Sequence, residues 1–179
     1  NNSFTVSDNQ EIDKVKFSLN STSGQGVIES GFKASLVDIH STSDVVEPHY
    51  NERIIDRTKE VTVALGDENN SRVSTTITRH RYPTYSVGSH AIGDTYIDLS
   101  DLPIEKLKMR SGSANVKVNY KNGLGNLLEM DTFLIKVDMG TFEAKNLHLC
   151  NSSNIITDIG FGKVKMDFED AQVINTNVK

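Results

Sequence analysis

The chain has little of several features that would restrict its chemistry. It has one cysteine, Cys150, so it forms no internal disulfide and leaves the redox compartment open. When such a cysteine is buried, it packs as a small apolar residue. No stretch approaches the roughly 20 apolar residues of a membrane span. We therefore predict no transmembrane segment in this chain.

Motifs for common catalytic sites are also missing. There is no glycine-rich phosphate loop, no His-Glu-x-x-His and no Gly-x-Ser-x-Gly. The five histidines include no pair spaced two or four residues apart, as adjacent zinc ligands on one element would be. The sequence therefore predicts no catalytic residues, no metal site and no cofactor, and we expect a protein that is not an enzyme.

Charge and length restrict the class further. The 19 basic and 24 acidic residues give a formal charge of -5 and are spread evenly along the chain. Binding of nucleic acid depends on a concentrated basic face, so we expect no nucleic-acid partner. A chain of 179 residues buries about 70% of its unfolded surface, which suffices for one domain over residues 1–179 without metal or disulfide.

Three stretches of the C-terminal half share one pattern around Gly112, Gly140 and Gly160. Apolar residues alternate with polar ones, and they are odd-numbered before each glycine and even-numbered after it. Alternation with period two indicates a half-buried strand. Because a shift by one residue would turn the apolar side outward, the glycine must form a corner. The predicted unit is strand, glycine corner, strand.

These units predict an all-β stack. The glycines are 28 and 20 residues apart, in the range of solenoid repeats. A fainter copy lies near the start, where Gly24 and Gly26 follow alternating residues. The corners carry Lys163 and Lys165 where the calcium-binding nonapeptide repeat has aspartate, so calcium is not expected.

Outward carboxylates offer an alternative function. Large β-helix proteins include enzymes that act on polysaccharides with paired acids on an outward face. Here the outward acids alternate with lysines, which is typical of a solvated face with compensating charges. These acids are Asp138, Glu143, Asp158 and Asp167. A carbohydrate-binding or carbohydrate-active β-helix protein that uses an outward carboxylate or aromatic face stays the second hypothesis.

The first half of the chain interrupts the pattern. Residues 40–60 are polar and contain Pro48, so we expect a connection or a cap over one end of the stack. Residues 60–65 and 72–78 alternate around a polar turn and predict an antiparallel hairpin. We therefore interpret residues 40–93 as an irregular or hairpin insertion. The polar tail, residues 171–179, is a second candidate cap.

One segment of this insertion has the composition of a contact surface. Tyrosine and arginine are favoured at binding surfaces because they combine flat area with hydrogen bonds. Residues 78–85 place basic side chains beside tyrosines. The predicted binding residues are Arg79, His80, Arg81, Tyr82 and Tyr85.

Residues 95–120, 127–147 and 155–168 resemble the toast-rack group of bacterial extracytoplasmic domains. This group is akin to the putative-adhesin families of unknown function and to the C-terminal domain of cell-wall-active antibiotic response proteins. Residues 97–103 (IDLSDLP) match the group's lead-in, and residues 111–115 (SGSAN) match its corner in degenerate form.

The resemblance implies a right-handed parallel β-helix-like solenoid with glycine corners. Residues 1–39 would form the first rungs and residues 94–170 the stacked repeats, whereas residues 37–93 have no match. It further implies a bacterial domain at the cell surface, in the periplasm or secreted. Its expected role is that of a non-enzymatic interaction or scaffold domain, with a protein or an envelope glycan as partner.

The chain opens on the polar stretch NNSFTVSDNQ, without an initiating methionine. This opening is typical of a mature secreted chain from which a leader has been removed. A membrane anchor outside these residues is also compatible with it.

Overall fold

A computed structural model of the chain describes residues 2–7, 11–21, 24–42, 49–65, 72–79, 82–168 and 177–178. The predicted all-β class is confirmed, since these residues form strands and a single 3-10 helix, Leu147–Cys150. The strands are β1 (Asn2–Val6), β2 (Lys14–Ser21), β3 (Gln25–Gly31), β4 (Val37–Ser41), β5 (His49–Ile55), β6 (Thr58–Leu65), β7 (Arg72–Thr78), β8 (Thr84–Ala91), β9 (Thr95–Asp98), β10 (Ile104–Asn119), β11 (Thr132–Ala144), β12 (Asn154–Met166) and β13 (Asn177–Val178).

Most strands belong to units of strand, corner and strand. The long strands β10, β11 and β12 each run through a corner and pair in parallel on both sides of it. The first half of β10 also pairs with β8 and its second half with β9. Beyond β8 and β9 lie β2 and β3, and beyond those lie β6 and β7, all in parallel. The predicted unit therefore recurs from β2 to β12.

The order of the units in the sheet differs from their order in the chain. The unit of β6 and β7 lies outside that of β2 and β3, and the third unit, β8 and β9, lies on the opposite side. In a continuous coil each unit would stack on the one before it. A continuous parallel β-helix is therefore not confirmed.

The predicted hairpin of residues 60–65 and 72–78 is wrong. β6 pairs with β2 and β7 pairs with β3, both in parallel, so the two strands belong to separate halves of one corner unit. The inward valines Val61, Val63 and Val73 are fully buried. These valines are buried because β6 and β7 pair with strands of the stack. Much of the predicted insertion, residues 40–93, is therefore part of the stack.

A hairpin does exist one strand earlier. β5 is antiparallel to β6, and Asp56 and Arg57 connect them with φ values of 47° and 63°. Two successive positive φ values are the mark of the tight turn that suits the twist of a hairpin. β5 lies at the edge of the sheet, where the sequence predicts a capping segment. On the other half of the stack, β4 pairs antiparallel with β7, and β1 with β4.

The corner glycines are not equivalent in the way that the sequence predicts. Ala114 of β10 is opposite Gly140 of β11, which is opposite Gly162 of β12. Gly112 and Gly160 each lie two residues before this position. Gly140 therefore corresponds to Gly162 rather than to Gly112 or Gly160.

Two features make glycine necessary at Gly140 and Gly162. Their φ values are 140° and 151°, a region that other residues rarely adopt. A Cβ at Gly162 would also lie 1.6 Å from the Gly140 carbonyl oxygen. The backbone of one unit thus occupies the space where a side chain of the next would be. Gly93 has the same relation to Gly24, at 1.9 Å.

One hydrophobic core fills the inner side of the units. The predicted phase switch is present, with odd-numbered residues buried before the corner and even-numbered ones after it in β10 and β11. These buried residues are Leu107, Met109, Val116, Val118, Ile135, Val137, Phe142 and Ala144. Met139 was expected inside but is 57% exposed. It lies opposite Ser113 and Phe161, which are also exposed, because the phase has already switched there.

Candidate functional site

The structure separates the residues that the sequence predicts as a contact surface. Tyr85 is fully buried, and its hydroxyl donates a hydrogen bond to the Thr78 carbonyl oxygen at 3.1 Å. Its assignment to a surface is wrong, because it occupies an inward position of β8. Tyr82 is half-buried, with its ring edge-on to Tyr85 at a centroid distance of 6.4 Å. His80 and Arg81 lie outside the described residues.

Arg79 contacts a different aromatic residue. Its guanidinium carbon lies 5.0 Å from the centroid of the Phe32 ring, which is 73% exposed. Arg79 Nε also donates a hydrogen bond to Ser30 Oγ at 3.3 Å. An exposed cation–π contact of this kind contributes about 0.5–1 kcal/mol. A binding role for Arg79 and Tyr82 stays a prediction.

Basic side chains lie beside the outward carboxylates. Asp158 of β12 is opposite Lys136 of β11. Glu143 of β11 lies between Lys117 of β10 and Lys165 of β12. Opposite charges on neighbouring strands attract each other. This part of the surface is therefore the mixed-charge face that the sequence predicts.

Metal-ligating and nucleophilic side chains give no cluster in the described ranges. No three of His, Cys, Asp and Glu come together there. Cys150 is buried, and this burial raises the pKa of its thiol to about 11. The thiol is therefore protonated near neutral pH and lacks the reactivity of a thiolate.

A groove crosses the outward face of β2, β8 and β10. Its volume is about 250 Å³, and four lysines line it. Lys14 and Lys16 come from β2, and Lys106 and Lys108 come from β10. β8 lies between these strands and pairs with both in parallel, so the two pairs of lysines face each other across one strand. We call this feature the lysine groove.

The register fixes the spacing of the lysines. Lys16 and Lys106 are both opposite Ser86 of β8. Neighbouring strands are about 4.8 Å apart, so the backbones of Lys16 and Lys106 are about 10 Å apart. Side chains on rigid strands are positioned more accurately than those on loops. The strands therefore fix the backbone positions from which the four lysines extend into the groove.

Small residues form the floor of the lysine groove. Ser86 and Gly88 of β8 lie between the lysines, and Ser18 of β2 is opposite Gly88. A Cβ at Gly88 would lie 3.6 Å from the Lys108 carbonyl oxygen, which is an ordinary contact. The backbone therefore does not require glycine at this position. Its effect is to keep the middle of the groove open.

The positive charge of the groove is only partly compensated. Lys14 forms an ion pair with Glu105, and the Ser86 hydroxyl donates a hydrogen bond to the same carboxylate at 3.4 Å. Between residues that the structure describes, no ion pair involves the other lysines of the groove. Lys16 and Lys108 are exposed. Three ammonium groups are thus available to a ligand.

The lysines of the groove repel one another. Burial lowers the pKa of Lys14, and the charges of Lys106 and Lys16 lower it further, against an opposite effect of Asp131. A nearby negative charge stabilises the charged form of a lysine. An anion bound between the strands would therefore relieve part of the repulsion. The groove has the electrostatics of an anion-binding surface.

The lysine groove was not predicted from the sequence, although its four lysines are visible there. Lys14 and Lys16 flank Val15, and Lys106 and Lys108 flank Leu107, which is the ordinary pattern of a strand with one wet side. What makes them a site is the insertion of β8, with its small residues, between two strands that are distant in the chain. No local pattern reports that pairing.

Among the described residues, no helix has the length and apolar character needed to span a bilayer.

Similarity to known proteins is confined to the fold. No family model matches the chain, and no curated protein matches it. The crystal structure of a putative cell adhesion protein from Clostridium sporogenes ATCC 15579 aligns with a TM-score of 0.70 over 93% of this chain and 97% of that one. At 10% sequence identity, the likeness shows a common all-β fold.

Proposed function

We propose that this chain is a non-enzymatic, adhesin-like binding domain that recognises an anionic glycan through the lysine groove. The observation that carries the proposal is the set of three available ammonium groups around an open floor. Its likeness in fold to a protein named for cell adhesion supports the adhesin-like role. We place the domain outside the cytoplasm of a bacterium, at the cell surface, in the periplasm or secreted.

The size of the groove defines what it accepts. Ligand pockets for small molecules span about 300–1,000 Å³, so a groove of about 250 Å³ accepts a charged group and the ring that bears it rather than a large compact ligand. The groove runs across three neighbouring strands. It therefore suits a linear polymer whose sulfate, phosphate or carboxylate groups recur along the chain.

The arrangement of carboxylates favours binding over catalysis. Glycoside hydrolysis requires two carboxyl groups about 5–10 Å apart on either side of the scissile bond. In the lysine groove the carboxylate nearest the lysines, Glu105, is engaged by Lys14 and Ser86. On the mixed-charge face, Asp158 and Glu143 each lie beside a lysine. These lysine and serine partners favour binding over paired-acid chemistry on either surface.

Binding to defined polymers tests the proposal. Isothermal titration calorimetry would compare dextran sulfate and polygalacturonate with neutral dextran. We expect the charged polymers to bind and the neutral one not to bind. Combined replacement of Lys16, Lys106 and Lys108 by alanine should weaken binding by roughly 10- to 100-fold, from about 0.5–1 kcal/mol for each lost contact.

A matched variant separates the groove from net charge. Replacement of Lys117, Lys121 and Lys145 by alanine removes the same number of charges from exposed positions outside the groove. We expect this variant to bind like the unchanged chain. Equal losses in both variants, or equal binding of a single-stranded DNA oligonucleotide, would show a non-selective polyanion surface and overturn the proposal. Release of new reducing ends from the bound polymer would overturn its non-enzymatic part.

A further inference from the structure

β12 is an edge strand for most of its length. One of its two hydrogen-bonding edges pairs with β11 from Ile155 to Met166. At its other edge, β13 pairs with Asn154 and Ile155, and no other strand of the described residues pairs there. An open strand edge is a template for pairing with another chain.

Among the residues that the structure describes, the hydrophobic core continues into β12 and ends there. Val164 lies on the inward side, opposite the fully buried Phe142 of β11, yet it is exposed. Ile156 is also exposed, and Phe161 at the corner is 76% exposed. Val164 is thus an inward position left partly exposed to solvent at the open edge.

We infer that this edge pairs with the same edge of a second copy, in antiparallel orientation about a two-fold axis through the corner. A two-fold interface brings one surface against itself, so each contact occurs twice. The occupant of the edge is thus another molecule of this chain. The inference concerns β12 alone and is independent of the lysine groove.

The phase switch at the corner determines which registers are allowed. In an antiparallel pair about a two-fold axis, residues before the corner of one copy face residues after the corner of the other. Inward residues of β12 are odd-numbered before the corner, as Ile155, and even-numbered after it, as Val164 and Met166. Inward residues face inward residues only if an odd-numbered position is opposite an even-numbered one. This excludes every second register.

The allowed registers place opposite charges together. One of them sets Asp158 opposite Lys163 of the second copy, with Thr157 opposite Val164 and Ile156 opposite Lys165. It pairs residues 156–165 and leaves Asn154 and Ile155 to β13. The next allowed register sets Asp158 opposite Lys165 instead. A parallel, in-register pair would set each charge opposite its own kind, which is unfavourable.

Analytical ultracentrifugation of the full chain tests this inference. We expect a concentration-dependent dimer in the unchanged protein. Lys163→Asp sets like charges opposite each other twice in the dimer, and should weaken association at least roughly ten-fold, or about 1.4 kcal/mol. Within one copy Lys163 is opposite only Thr141 on β11, so the fold itself should be little affected.

A charge exchange provides the decisive comparison. Asp158→Lys alone should also weaken the dimer, although it adds repulsion from Lys136 within the copy. Asp158→Lys combined with Lys163→Asp restores opposite charges across the two-fold axis and should recover dimerisation, while the repulsion from Lys136 stays. Recovery therefore reports the interface and not the stability of the monomer.

A control substitution tests whether the charge change acts only at β12. Lys121→Asp makes the same charge change at an exposed turn and should leave the dimer unchanged. A monomer at every concentration would mean that the edge is covered within one chain or stays open, and would overturn the inference. A dimer that neither single substitution weakens would place the interface elsewhere and overturn the inference. A dimer that Asp158→Lys weakens but the exchange does not recover would overturn the pairing of Asp158 with Lys163.

Discussion

A Cβ at Gly140 would lie 1.7 Å from the carbonyl oxygen of Ala114, the residue opposite it on β10. Gly112, which the sequence predicts as the equivalent of Gly140, has no such conflict. A Cβ there would lie 3.5 Å from the Ile92 side chain. The two glycines therefore have different roles at neighbouring corners.

This difference predicts opposite outcomes for alanine at the two positions. Gly140→Ala should destabilise the protein by about 3 kcal/mol or more, because a strained φ and a clash with backbone add together. Gly112→Ala should change stability by less than about 1 kcal/mol, because a Cβ fits there. Alanine also has less conformational freedom than glycine in the unfolded chain, which favours folding. Urea unfolding of both variants measures the difference. Similar midpoints would contradict the assignment of Gly140 as the corner residue.

Filling the floor of the lysine groove should abolish ligand binding without loss of stability. Gly88→Val adds a β-branched side chain that suits a strand and meets no close backbone atom. We expect unfolding free energy to rise or stay within about 0.5 kcal/mol, whereas binding of dextran sulfate falls. Thr62→Val, at a neighbouring outward position on β6, is the control and should bind normally. Normal binding by Gly88→Val would exclude the groove as the site.

The buried position of Tyr85 predicts a stability effect of its hydroxyl. Tyr85→Phe leaves the Thr78 carbonyl oxygen without this donor in the core, at a cost of about 1–2 kcal/mol. Phe32→Ala, which removes the exposed ring under Arg79, should cost less than about 1 kcal/mol. Thermal unfolding of the two variants provides the comparison. A larger loss for Phe32→Ala would reverse their assignment to core and surface.

Cys150 should react slowly in the folded protein, and its reactivity should depend on pH. Burial raises the pKa of the thiol from 9.0 to about 11, so at pH 8 the folded state holds roughly 100-fold less thiolate than the unfolded chain. Labelling with a thiol reagent should accelerate on unfolding and as the pH approaches 11. Fast labelling of the native protein at pH 8 would contradict its burial.

The same shift has a consequence for stability. The folded state favours the protonated thiol, so this contribution is complete below pH 9 and is lost as the pH rises toward 11. Cys150→Ala removes the titrating group. Its stability should therefore fall less steeply over this pH range than that of the unchanged chain, as measured by urea unfolding.

Strands of the C-terminal half are predictable because their signal is local. Alternation around Leu107, Val116 and Ile135 reports which side is buried, and the switch of phase reports a corner. The position of Gly140 in that corner is not predictable in this way. Gly112 and Gly140 both follow alternating residues, and only the register between strands shows that Ala114 is the partner of Gly140.

The first half of the chain shows what local patterns omit. Residues 60–65 and 72–78 were predicted as strands, and they are strands, but the polar turn between them indicates a hairpin that does not form. Pairing with β2 and β3 buries Val61 and Val73 on both sides of a corner instead. The lysine groove depends on the same long-range pairing, so it is equally hidden in the sequence.

The placement of β6 and β7 outside β2 and β3 has a consequence for how the chain folds. Lys14 is opposite both Thr58 and Thr84, so the first unit receives a later unit on each of its two sides. The unit that comes first in the chain therefore lies inside the stack. The units cannot assemble in sequence order from one end of the stack to the other. Contacts between such distant segments make folding slow. The unit of β2 and β3 joins the two parts of the stack, since without it β6 and β7 lose their parallel partners.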